Sequence, residues 1–353
     1  ERDGFFYYFL EWRDVRLAGD IARPTGKVDS LLQDEPLCLA QLTRFLRNPV
    51  EAFFDQRLNV HFDNHDLTSL DDEPFALDGL ENWQYQEQLS QTLKCWVEEQ
   101  YDPQQATVQL DIQVQRLRRE GKLPMAGFAG LSADKLTGAI PDMLERYHQL
   151  LQTWTQQVSG QVEVKLPALG AAPGFTDWLG GLRRNAVGEL ACLQLDSKKL
   201  HSDKVLRWHN LTRAWLHHLA LQLGQEPCAT ILVSLSGDLH FPPLEQARAA
   251  ELLQSILQCW AEGMCEPLPI ACKTAFAWLD KGADASEKAL EAAQKEYEGG
   301  FEYTGEVQGS TALRRAYADF EALTADGRFN ALAGQLYGPL HEHLSAVSSG
   351  SEQ

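Results

Sequence analysis

The stretch LACLQLDSKKL, Leu190–Leu200, runs an alternating apolar segment into an aspartate, one intervening residue and a lysine. Acid-x-Lys at the end of a strand is the second half of a metal-dependent DNA nuclease site. Two carboxylates hold Mg²⁺, the ion polarises a phosphate and activates a water, and the lysine supports the developing negative charge. Strand residues two apart share a face, so Asp196 and Lys198 are expected to point the same way. Asp177, in GFTDWL, is expected on the neighbouring strand, where it would complete the acid pair across the ladder. The D-x₁₈-D-x-K pattern is permissive, because acids are common and the spacing is loose. Two strand-end aspartates on a solvated rim are its structural alternative.

Other residue types that could do chemistry read as follows. His217 and His218 in WLHHLAL are adjacent, and neighbouring helix positions point about 100° apart, so they make a poor ligand pair; His218 reads as a core or interface histidine. Trp178, Trp208 and Trp215 could stack bases, or simply pack. Arg183 and Arg184 fall in the expected turn after the second strand, and Lys198, Lys199, Lys204 and Arg207 cluster next in sequence. These six are the candidate DNA contacts, meeting phosphates rather than reading bases. No GxxxxGK[ST] loop is present, so the chain is not expected to bind ATP itself. Seven cysteines with no CxxC pair lie mostly in apolar stretches and read as buried reduced thiols of a cytoplasmic protein, not as a zinc site.

The elements that must position these residues are legible from periodicity. LCLAQLTRFLRNPVEAFF repeats apolar residues at helical spacing (Leu39, Leu42, Phe45, Leu46) until Pro49, where a second helix can start. Residues 63–74 are an acidic loop, and helices are expected at about 79–99, 105–119 and 133–158, with the Gly/Pro-rich 121–130 as a loop between. Alternation marks strands at 161–166, 174–182 and 189–195. A long amphipathic helix over 205–223 follows, then a strand at 228–237 joined by a Gly237-Asp238 turn to 239–241, a helix at 244–264 and a helical remainder with loops at 280–286 and 298–310. The helix between third and fourth strands is long enough for a crossover between parallel strands. The expected class is α/β, a mixed sheet flanked by helices, with a helical N-terminal addition.

At 353 residues and 44% hydrophobic, the chain can bury a large core. No apolar run reaches the roughly 18 residues of a membrane span, and FFYYFL lacks the basic lead and cleavage site of a signal peptide. The chain opens at Glu1 rather than methionine, as a piece of something longer would. The net charge of −19 hides segregation: residues 34–111 carry 4 basic and 16 acidic side chains, 223–353 carry 8 and 19, and 116–222 carry 14 and 9. Phosphate binding depends on local positive surface, so a basic centre between acidic flanks leaves a nucleic-acid face open.

Several phrases in order resemble the RecC family, the gamma chain of exodeoxyribonuclease V (the RecBCD helicase–nuclease), in its C-terminal region. They are LTRFLRNPVEAFFDQRLNV, EPFALDGLENWQYQEQL, GKLPMAGFAG, RAWLHHLAL, FPPLEQARAAELLQSILQCWAEGMCEPLPIACKTAFAW, the YEG and GE near Tyr297 and Gly305, and FNALAGQLYGPLHEHL. They cover about residues 36–345. The division implied is a leader over 1–35, a helical part over 36–158, a nuclease-like core over 159–348 and a tail over 349–353.

The resemblance implies a restriction-endonuclease-like fold that has lost catalysis, packs against RecB-type and RecD-type subunits, and helps part a DNA duplex end into single strands. ATP would be used by those partners, and this chain would need no cofactor. The family pattern usually lacks the two acids and the lysine, whereas this chain has Asp177, Asp196 and Lys198. That departure keeps open an active Mg²⁺-dependent nuclease. Against it, active relatives carry a Gln and a Tyr four residues apart on the following helix, where Arg213 and His217 stand here. Only His148 offers the upstream histidine they also carry. A purely protein-binding scaffold is the third reading.

Overall fold

The arrangement is set by two seven-residue strands with apolar residues on both faces. The computed structural model describes residues 28–29, 35–62, 77–100, 102–124, 128–202, 205–282, 286–300 and 303–350. The acidic loop expected at 63–74, most of the leader and Lys204 lie outside them. Strand β5 (Leu190–Asp196) pairs in parallel with β8 (Cys228–Ser234), from Leu190 opposite Cys228 to Asp196 opposite Ser234. Ala191, Leu193, Leu195, Ala229 and Val233 point into one hydrophobic cluster, and Cys192, Cys228 and Leu232 into another. Strands covered on both sides read as near-continuous apolar runs, as LACLQL and CATILV do.

The first cluster is closed by helices α3 (Gly79–Gln100), α4 (Pro103–Arg119), α5 (Phe128–Thr137) and α6 (Ile140–Thr153). The expected helix over 133–158 is therefore two, parted near Gly138, and α5 begins inside the expected 121–130 loop. On the other face lie α1 (Leu39–Arg47), α7 (Thr212–Leu221), α8 (Gln246–Gly263) and α9 (Cys272–Leu279). Between α1 and a π-helical turn (Phe53–Arg57) stands the short α2 (Pro49–Ala52), whose N-terminus is capped by Asn48 Oδ1 accepting from Glu51 N–H. The expected helix over 205–223 keeps only its second half. Its first part forms a small hairpin, β6 (His201–Ser202) with β7 (Val205–Leu206), then a 3₁₀ turn at Trp208–Asn210.

The main sheet has five strands in the order β1 (Gln156–Gln157), β4 (Leu182–Arg184), β5, β8 and β9 (Gly237–Phe241), antiparallel except for β5 with β8. The hairpin turn before β9 is Leu235-Ser236, because Ser234 pairs with Gly237; the expected Gly237-Asp238 turn lies two residues too far along the chain. The strand expected over 174–182 splits. β3 (Phe175–Leu179) leaves the main sheet to pair with β2 (Val162–Leu166) in a two-stranded sheet, and β4 begins after Gly180-Gly181. Gly181 has φ 75°, a left-handed turn glycine adopts without strain.

The C-terminal part is helical: α10 (Glu287–Glu298), α11 (Thr311–Ala316), α12 (Phe320–Thr324), α13 (Phe329–Leu336) and α14 (Gly338–Gly350). Here the chain crosses itself at Gly299 and Gly305. Beside the crossing, the buried Glu306 carboxylate accepts from Lys273 N–H, Thr274 N–H and Thr274 Oγ1–H at 2.8–3.0 Å, capping α9. No helix among the described residues is long and apolar enough to cross a membrane.

All seven cysteines are free. Burial pushes the Cys192 thiol up to about 11 and those of Cys228 and Cys259 to about 12, and holds Cys272 well above its ordinary value. Only Cys95 is exposed, with Cys38 and Cys265 partly so. A thiol reagent at neutral pH should therefore titrate three cysteines in the native protein and seven in denaturant. Seven fast native thiols would contradict this packing.

Candidate functional site

The split between β3 and β4 decides what becomes of the acid-x-Lys motif. Because β4 is short and opposes only Leu190–Cys192, the second half of β5 has β8 on one side and no strand on the other. Helix α3 supplies polar side chains there instead. Gln91 Nε2 donates to the Leu195 carbonyl (3.4 Å), and Glu87 Oε2 accepts from Ser197 N–H (3.2 Å) and Ser197 Oγ–H (2.7 Å). What remains is a polar pocket of about 400 Å³ bordered by Lys94, Gly180, Gln194, Asp196, Arg213 and His217.

Neither aspartate is free within this frame. Asp177 sits on β3, in the separate sheet opposite Val164, so it does not face Asp196 across a ladder as the sequence led one to expect. Its Oδ2 accepts from Leu39 N–H (2.8 Å) at the start of α1 and its Oδ1 from Trp178 N–H (2.8 Å). A carboxylate at a helix N-terminus satisfies an orphan donor and meets the positive end of the dipole. Asp196 closes β5. Lys198 lies past the strand end, where its N–H donates to Asp196 Oδ1 (2.9 Å) in an Asx-type turn and its ammonium sits 3.6 Å from Oδ2.

The residues present do not fit a divalent ion in the nuclease manner. The described residues contain no group of three or more His, Cys, Asp or Glu placed to hold one, and Arg213 borders the same pocket.

On α7, adjacent histidines reach adjacent strands. Gln194 Nε2 donates to His217 Nδ1 (2.8 Å), while His218 Nδ1 and Thr230 Oγ1 share a hydrogen bond (2.9 Å). Burial first, then the Arg213 charge, holds His217 down at about 4, with Asp177 opposing; burial, then His343, holds His218 at about 3. Both are neutral at physiological pH. His148 pairs with Gln152 one turn along α6.

The five basic candidates among the described residues divide sharply, Lys204 lying outside them. Arg183 and Arg184 are on β4 rather than in a turn. Arg183 is buried and donates to the Trp154 carbonyl (3.2 Å). Arg184 forms a bidentate pair with Glu226 (2.7 and 2.8 Å). Lys198, Lys199 and Arg207 instead converge on a second cleft, of about 500 Å³, together with Arg47 from the end of α1, Lys135 from α5 and Trp83 from α3. Among the described residues Asp78 is the sole acid on its wall. The Lys198 ammonium lies 5.8 Å from the Trp83 ring centre. Arg47, Lys135, Lys199 and Arg207 are exposed. His209 records the local field: burial first, then Lys273, Arg207, Arg47 and Lys198, lowers it to about 4.

Arg47, Lys135 and Trp83 were not legible as members of this cleft, because they come from three helices far apart in sequence. Of the tryptophans considered for stacking, Trp215 is in the core, Trp208 stacks on Phe276 (5.8 Å, 12°) and Trp178 is 55% exposed on β3.

Comparison with known proteins agrees with the sequence phrases. Residues 34–283 match the family model described as the RecC C-terminal domain. The chain is 26% identical over 264 residues, 72% of its length, to the RecBCD enzyme subunit RecC of Escherichia coli (strain K12), covering 20% of that protein. It is 23% identical over 250 residues, 67% of its length, to the same subunit of Haemophilus influenzae (strain ATCC 51907 / DSM 11121 / KW20 / Rd), covering 19%. It spans about a fifth of the length of these relatives. The chain belongs to the RecC C-terminal domain family.

Proposed function

We propose that this chain is the non-catalytic, nuclease-like C-terminal part of a RecC-type subunit of a RecBCD-type enzyme. It scaffolds RecB-type and RecD-type partners in the cytoplasm and assists DNA strand separation during break repair and recombination. ATP is consumed by the partners, and the chain uses no cofactor of its own. The restriction-endonuclease-like reading draws support from the mixed sheet, with β4 antiparallel and β8 parallel to β5 and α7 in the crossover. The observation that carries the non-catalytic reading is the position of Asp177, which lies in the separate two-stranded sheet and is bonded to the start of α1 instead of opposing Asp196. The convergent cations beside Trp83 favour DNA contact over a purely protein-binding scaffold, with Lys198, Lys199 and Arg207 as the contacts.

Incubating the chain with Mg²⁺ or Mn²⁺ and linear or single-stranded DNA tests this reading. Parent and Asp196→Ala should both leave the DNA intact. Metal-dependent cleavage abolished by Asp196→Ala would overturn it in favour of the nuclease alternative.

A further inference from the structure

We propose that the cleft between α3, α5 and the turn after β5 is a subsite for single-stranded nucleic acid. Phosphates lie on Lys199, Arg207, Lys198 and Arg47, and a base rests against Trp83. This deepens the DNA-handling reading above and rests on it.

Three observations on the page select this ligand. The first is charge: among the described residues, five cations and one acid line one cleft in a chain of net charge −19. Such a concentration on an otherwise acidic surface attracts a polyanion locally while the rest of the molecule repels it. Three of these cations, Arg207, Arg47 and Lys198, also act together on one half-buried imidazole, His209, beside Lys273. The second is size. A cleft of about 500 Å³ falls among those that admit one small-molecule-sized group, roughly 300–1,000 Å³. A base with its sugar and a neighbouring phosphate enters it, whereas the bases of a duplex are paired and stacked inside the helix and present no free face to Trp83.

The third is the aromatic wall. Basic side chains that track a backbone, interleaved with an aromatic ring that takes any base face, are the two parts of a sequence-tolerant single-strand site. Lys198 joins them here. Its ammonium is held between Asp196 (3.6 Å) and the Trp83 ring (5.8 Å), so a fixed charge stands beside the stacking surface before ligand arrives. A lone phosphate ligand would leave the indole unused, and an apolar ligand would leave the cations unused.

The test is fluorescence anisotropy of the full 353-residue chain with labelled dT12, a 12-base-pair duplex and a dT12-length abasic strand. The single strand should bind tightest, with a log–log salt slope of about −3, for roughly four phosphates at −0.7 each. K199A/R207A removes exposed charges only, and should weaken all three ligands and flatten the slope with an unchanged melting temperature. Trp83→Leu should weaken dT12 about tenfold, keep the slope and leave the abasic strand unaffected; Trp83→Phe should restore most of the loss.

Equal affinity for duplex and single strand, or parent-like binding by both variants, overturns the subsite. So does displacement of dT12 by polyglutamate at equal charge, which would assign the cleft to an acidic polypeptide. These outcomes leave the non-catalytic role untouched. Metal-dependent cleavage with intact Trp83 dependence would instead remove that role and keep the subsite.

Discussion

Lowering the pH from 7 to 4 is expected to remove on the order of 10 kcal/mol of stability, enough to unfold the protein in a chemical denaturation series. His209, His217 and His218 are held neutral by burial, at about 4, 4 and 3. In the unfolded chain each would take a proton near 6.5. Below that pH the unfolded state binds more protons than the folded one, so stability is fully present above about 6.5. It drains away as the pH falls toward 4 for His209 and His217, and toward 3 for His218. Burial also lowers His240 and His343. Glu306 and Glu296, whose carboxyls burial raises, act in the opposite sense and offset part of the loss. His218→Asn should reduce the slope of unfolding free energy against pH by up to one proton. A flat profile between pH 7 and 4 would mean that these imidazoles are hydrated and charged.

Gly305→Ala should cost about 4 kcal/mol or more, the exceptional end of single-residue effects. A Cβ at this position would lie 2.4 Å from Glu298 C, Gly299 N and Tyr297 O. All three are backbone atoms, so no side chain can swing aside. Gly299→Ala meets the same crossing from the other strand, 2.4 Å from Gly305 N, and adds the strain of φ 77°. The damage would spread, because Glu306 follows directly and its carboxylate caps α9. Gly334→Ala is the control. It lies in α13 with nothing within 4 Å of a new Cβ and should gain about 0.5–1 kcal/mol from helix propensity. Thermal melts of the three variants order them; a Gly305→Ala protein as stable as its parent would mean the two segments do not cross so closely.

How far the sequence foretold this molecule depends on the kind of signal each residue carries. Strands β5 and β8 were plain because both faces are buried and their residue types say so. Resemblance phrases far apart in sequence proved to be contact partners: Phe45 meets Gly263, and Tyr337 OH donates to the Leu46 carbonyl. What failed was continuity. Alternation ran unbroken through GFTDWLGGL, and only the two glycines hinted that Asp177 would be carried off to another sheet. Helical spacing over VLRWHNLTRAWL hid a hairpin for the same reason, since a short apolar run fits either period. The basic cleft was half visible, as Lys198, Lys199 and Arg207 are neighbours in sequence, while Arg47, Lys135 and Trp83 arrive by tertiary packing alone.

The manner in which α3 covers the end of β5 has a consequence for how the molecule meets its own copies. An unpartnered stretch of strand is a template on which another chain can build. Here the Leu195 carbonyl and the Ser197 amide are already taken by Gln91 and Glu87. Two long polar side chains thus act as a seal, keeping a sheet that lost a neighbour from becoming adhesive.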